Sequence, residues 1–302
     1  MTEAGLIAAR FVHYAALVVT FGAFAYLGNG ERSASLAGRL ARLGLASSIV
    51  LLLSALAVLA AITAGLGGGF AALSDATLWA AVLGETNFGR VWSVRLAMAV
   101  LLIAISLAAW RLPTRALTSF GILLAGGLVV TVALTGHAAA AEGAPGVLHR
   151  VADAAHLIAA AVWLGALPPL LILLRPESTE TPTDLEIAVA RLQAFHAIGL
   201  SSVVVLVVSG LVNSWYLVGT FDRLLTTTYG GVLLAKVVVV LAMIGLAAEN
   251  RWRLVPALAR DVSCSGRADA SKLRSRIRAE LVLGIFVLVA VSVLGAIAPA
   301  AD

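Results

Sequence analysis

Long apolar runs separated by short polar or basic stretches set the pattern of this chain. A helix that crosses a bilayer needs about 20 mostly apolar residues. Eight segments meet that length: residues 6–27, 43–63, 91–110, 117–136, 150–174, 197–218, 230–248 and 281–298. None shows the two-residue alternation of a membrane barrel strand. In hydrocarbon, backbone groups must otherwise pair within their own helix. The pattern therefore predicts an all-α polytopic membrane protein, a bundle of eight transmembrane helices in one domain over residues 1–302.

The connections differ in character. Four glycines within residues 65–69 break the second helix. Residues 71–90 are mildly apolar and carry Trp79 and Phe88, which predicts an amphipathic helix lying on the membrane surface. Residues 175–195 are polar and residues 251–278 strongly basic; both are expected as loops, with no soluble domain anywhere.

Composition fits this picture. The chain is 61% hydrophobic and 12% charged, against about 25% charged in ordinary soluble domains, and its mean hydropathy is +1.02. The net charge of +5 does not indicate a nucleic-acid partner, because the basic residues concentrate between apolar runs. Fifteen of the 21 lie in the loops joining helices 1–2, 3–4, 5–6 and 7–8. Basic loops stay cytoplasmic, so both termini are expected to be periplasmic and the protein to reside in the inner membrane. Only five residues precede the first run and they carry Glu3, so no cleavable signal peptide is expected. Cys264 is the sole cysteine, which excludes a disulfide framework and a CxxC metal motif.

An ionisable side chain inside a span costs about 2.5–3.5 kcal/mol on insertion scales, so each marks a candidate functional position. With that orientation His13, Arg95, His149, Asp153, His156, Asn213 and Lys236 fall toward the outer ends of their helices, and His137 follows the outer end of the fourth. The inward half is expected to hold nothing comparable, with His196 at its boundary. On the fifth helix His149, Asp153 and His156 recur at i, i+4 and i+7, a single stripe that Trp163 continues. Imidazole suits copper, zinc, nickel and iron, and a neighbouring carboxylate can fix the tautomer of a ligating imidazole. His13 and His156 are each about 10 Å from the outer helix ends at ~1.5 Å per residue. If the first and fifth helices touch, the pair could share one ion or ligate a haem axially.

Other roles compete for the same residues. His137 and His149 fit solvated loop positions, Asp153 fits an ion pair with Lys236 or Arg95, and His196 fits an interfacial structural role. Trp92, Trp110 and Trp215 fit interface anchors. There is no phosphate-binding P-loop and no HExxH motif, so no ATP-driven pumping by this chain and no enzyme activity is expected. Met1, Met98 and Met243 are the only methionines, too few for a thioether relay of soft Cu(I).

Several segments together resemble the copper resistance protein D (CopD) family. They are TGHAAAAEGAPGVLHRVADAAHLIAAAVWLGALPPL at 135–170, SGLVNSWYLVGTFDRLLTTTYGGVLLAK at 209–236 and NRWRLVPAL at 250–258, with RFVHYAALVVTFGAFAY at 10–26 and TNFGRVWSVRL at 86–96. The resemblance implies a copper ion as cargo, moved from periplasm to cytoplasm. It implies metal-site candidates His13, His137, His149 and His156, supported by Asp153, Arg95, Lys236, Asn213 and Trp163. It also implies a separate periplasmic copper-binding partner of the CopC type. A haem-binding electron carrier and a non-transporting copper sensor are the alternatives.

Overall fold

The computed structural model describes residues 3–28, 34–112, 114–136, 143–178, 182–260 and 267–301. Among these residues there are eleven α-helices: α1 (Glu3–Gly28), α2 (Ala34–Leu66), α3 (Ala76–Ala80), α4 (Asn87–Arg111), α5 (Arg115–Ala133), α6 (Gly143–Leu173), α7 (Pro182–Val218), α8 (Phe221–Thr226), α9 (Thr228–Glu249), α10 (Val255–Arg260) and α11 (Arg267–Leu294). Eight are long and apolar enough to span a membrane, α9 continuing into α10. The all-α, eight-span reading holds, and the spans are α1, α2, α4, α5, α6, α7, α9 and α11.

Hydroxyl and carboxylate caps start several helices. The side chains of Thr86, Thr114, Thr220 and Thr227 accept backbone N–H bonds at the N-termini of α4, α5, α8 and α9, which satisfies donors that no preceding turn can reach. After α2 the chain turns through Gly68 and Gly69, at φ +81° and +151°, where a Cβ is strained. The expected surface helix over 71–90 is instead short and broken: a 3-10 turn at Phe70–Ser74, then α3, then a π turn at Ala81–Glu85. Its Trp79 packs with Phe88 against buried Trp92 rather than lying free on a surface.

Helices α1 and α6 hold the bundle together. α1 packs on α2, α5, α6 and α11, and α6 packs on α1, α5, α7 and α11. They meet at Gly22 and Gly165. A Cβ on Gly22 would overlap the Gly165 carbonyl, and one on Gly165 would lie 2.6 Å from the Val18 carbonyl. Small residues that let backbones approach are the usual means of packing helices in lipid. The Arg10 guanidinium donates to the Gly295 carbonyl, tying α1 to the end of α11.

Two expected loops are helical. α7 begins at Pro182, and α11 at Arg267, far ahead of the apolar runs at 197 and 281. Their leading halves are amphipathic. Leu185, Ala188, Val189 and Leu192 of α7 meet Leu258 of α10 and Ala270, Leu273 and Ile277 of α11 in one buried core that also takes in Leu36 and Leu40. Charge on the outer faces hides these helices from a search for 20-residue apolar runs, because only a stripe of each is apolar.

Candidate functional site

The polar stripe of α6 faces α7. Along α6 the residues run from His149 through Asp153 to His156, and α7 answers in the reverse direction with Tyr216, Asn213 and Ser209. The His149 ring stacks on Tyr216, with centroids 4.7 Å apart and planes 10° from parallel. Asn213 Nδ2 donates to Asp153 Oδ1 at 3.2 Å. His156 Nδ1 lies 3.1 Å from Ser209 Oγ. Three residues on each helix therefore form an antiparallel polar seam in register. Gly210 makes room for it, since a Cβ there would sit 3.3 Å from His156 Cε1.

The Ser209 hydroxyl donates its proton to the Val205 carbonyl at 2.5 Å. It therefore accepts from His156, which puts the imidazole proton on Nδ1 and leaves a lone pair on Nε2. That is the arrangement metal-ligating histidines use, with the far nitrogen donating to a fixed acceptor. Asn213 is buried, and its Oδ1 has no hydrogen-bond partner. Asp153 acts electrostatically on Lys236 and Tyr229 of α9 and on Tyr14 of α1, and Lys236 acts on His156. The seam thus combines imidazole nitrogen, amide oxygen and carboxylate, with a cation on the adjoining helix.

His13 is part of a different neighbourhood. Its Nδ1 lies 3.2 Å from Ser54 Oγ of α2, and that hydroxyl donates to Leu51 O at 3.0 Å, so the same tautomer follows. Its ring lies 5.8 Å from Trp92 of α4. Arg95 sits over the Trp92 ring, 4.8 Å from its centroid, with Nε donating to Thr131 Oγ1 at 2.8 Å.

Nine residues separate His13 from Gly22, and nine separate His156 from Gly165. Nine residues is about two and a half turns at ~3.6 per turn. As the first and fifth of eight spans, α1 and α6 run in the same direction, so the two imidazoles lie at one depth. Each points away from the glycine contact, His13 toward α2 and α4 and His156 toward α7. The expected sharing of one ion, or one haem, between His13 and His156 has no geometric support in this arrangement. Among the described residues no group of three or more His, Cys, Asp or Glu is placed to hold a metal ion. His137 lies outside the described residues, as does Cys264.

The inward half is not empty of polar groups, contrary to expectation. Trp163 lies seven residues, about 10 Å, beyond His156 on α6. Its indole Nε1 donates to Glu280 Oε1 of α11 at 2.7 Å, and Asn250 Nδ2 donates to Glu280 Oε2 at 3.2 Å. Glu280 is 3% exposed and Asn250 8%. Both escape a reading by apolar runs, because Glu280 falls one residue before the eighth run and Asn250 two after the seventh. A cavity of about 130 Å³ opens beside them, lined also by His196 and Arg251. His196 is therefore a cavity residue, not only an interfacial one.

Comparison with known proteins agrees with the resemblance. Residues 1–147 match the family profile described as copper resistance protein D-like, N-terminal domain, and residues 189–294 the profile described as copper resistance protein D. The chain is 32% identical to copper resistance protein D of Pseudomonas syringae pv. tomato, over 97% of this chain and 96% of that protein. It is also 32% identical to inner membrane protein YebZ of Escherichia coli K12, over 97% and 98% of the two chains. Copper transport protein CutJ of Bacillus subtilis 168 is 30% identical over 77% of this chain, which spans 43% of that longer protein. No solved structure matches the chain.

Proposed function

The chain belongs to the copper resistance protein D family, and on that premise we propose that it carries copper across the inner membrane from periplasm to cytoplasm. The seam between α6 and α7 is the entry site. The observation that carries this reading is the bond from His156 to Ser209, which frees Nε2 beside the unpartnered Oδ1 of buried Asn213 and the carboxylate of Asp153. Nitrogen with oxygen donors suits a borderline copper ion better than a hard cation. His149 completes the outer end of the seam, and His137, twelve residues before it in the sequence, is the remaining candidate ligand. A separate periplasmic protein of the CopC type would hand over the ion, as the family resemblance implies.

Proteoliposomes holding the purified chain test this directly. Copper uptake should exceed that of empty vesicles, and His156→Ala should reduce both uptake and calorimetric copper affinity by about tenfold or more, the scale of losses at metal sites. Ser106→Ala, buried away from the seam beside Ser48, should leave both unchanged. Absence of uptake by the wild-type chain would overturn transport and leave a copper sensor. Unchanged affinity in His156→Ala would overturn the seam as the site.

A further inference from the structure

A carboxyl group buried as deeply as that of Glu280 carries either a proton or a compensating cation, because an unpaired ion in a low-dielectric interior costs several kcal/mol. Its partners are Trp163 and Asn250, both neutral donors. No cation pairs with it among the described residues. Asn250 spends its N–H on Glu280 and leaves a buried Oδ1 with no partner; His196 likewise has a buried Nε2 with no partner. These groups line the same cavity of about 130 Å³. A cavity of that size has room for an ion and several waters, one water needing about 10–15 Å³ on the same measure. Arg251 is the one fixed cation on the wall among the described residues. It is committed elsewhere, donating to the His196 carbonyl at 2.5 Å with its guanidinium 6.0 Å from the Trp252 ring.

We propose that this cavity is a second cation station on the cytoplasmic side of the seam, binding copper through the Glu280 carboxylate, Asn250 Oδ1 and His196 Nε2. The inference rests on the copper-transport reading and extends it. Trp163 lies on the α6 stripe below His156, so the ion leaving the seam travels along α6 to the carboxylate that Trp163 orients. The ion brings the positive charge that Glu280 lacks, and the cavity wall, formed by α6, α7, α9 and α11, leads it toward the cytoplasmic ends of the helices.

Copper binding to the purified full chain, measured after desalting with copper supplied as Cu(II) and as ascorbate-reduced Cu(I), tests the proposal. Glu280→Gln keeps an acceptor for Trp163 and should hold one copper per chain fewer than wild type. His196→Ala, which removes a half-buried ring and leaves the Glu280 contacts intact, serves if the first variant does not fold; its inner copper should bind about tenfold more weakly. His156→Ala should lose the other equivalent and keep this one. Wild-type copper content in both Glu280→Gln and His196→Ala would overturn the station. So would slowed uptake in Glu280→Gln with unchanged copper content, which would assign Glu280 to protons. If the wild type binds copper here yet moves none, the station stands and transport fails.

Discussion

Ser209 and Ser54 perform the same task for different histidines. Each gives its own proton to a carbonyl on its own helix and accepts the Nδ1 proton of an imidazole. Removing such a partner frees the ring to turn and to change tautomer. Ser209→Ala is expected to weaken copper binding by about 10- to 100-fold, as losses of supporting groups at metal sites do, while the far-ultraviolet dichroism stays that of wild type. Ser54→Ala should cost stability instead, about 1–3 kcal/mol for a buried imidazole N–H left without an acceptor, and leave copper affinity at the seam unchanged. The α6 stripe is legible in the sequence because helical spacing puts His149, Asp153 and His156 on one face whatever the neighbours are. Asn213 marks the helix that this face meets, whereas Ser209 and Gly210, in the same apolar run, do not stand out in the sequence. Glu280 is illegible for another reason: it stands among arginines, and a charge there reads as the edge of a loop.

The contact between α1 and α6 decides how the two histidine neighbourhoods are held apart. Gly22→Ala would drive a methyl into the Gly165 carbonyl, a backbone atom with no room to give. Overpacking of this kind costs about 1–3 kcal/mol, and unfolding in detergent should show a loss on that scale, larger for Gly22→Val. Gly126→Ala meets only side chains at 3.5 Å and beyond and should be near neutral. At the other extreme of burial, Asp75 caps α3. The Thr77 hydroxyl and the Thr77 and Leu78 amides bond its carboxylate and hold it below the ordinary carboxylate range. A folded-state value below the unfolded one means that the cap is complete above the ordinary range and is lost only as pH falls through the lowered value. Hydrogen exchange at the Thr77 and Leu78 amides should therefore be slow at neutral and mildly acid pH and fast in Asp75→Ala throughout. Helix ends were the least legible elements. The spans of α1 and α9 follow their apolar runs closely, whereas α7 and α11 continue through charged sequence because Leu185, Val189 and Leu192, and Leu273 and Ile277, find each other.

For the whole molecule, the long charged extensions of α7 and α11 and the basic turn between α9 and α10 all lie at one end of the bundle, together with α10 and the start of α2. The polar seam lies toward the other end of α6 and α7. Lys and Arg bias predicts that the first end is cytoplasmic, so the expected orientation of the seam toward the periplasm rests on a property of the loops that is independent of any histidine. Arg276 pairs with Glu249 at 3.4 Å within that basic end. Cys264 gives a direct measurement, because it is the sole cysteine and sits between Arg260 and Arg267 in the most basic stretch of the sequence. A membrane-impermeant maleimide should leave it unmodified in right-side-out spheroplasts and modify it in inverted vesicles. A cysteine placed at Asp75 in a Cys264→Ser background should show the reverse. If Cys264 reacts from outside the spheroplast, the bundle is inverted, the seam opens to the cytoplasm, and copper would have to enter by way of the Glu280 cavity and leave past His156.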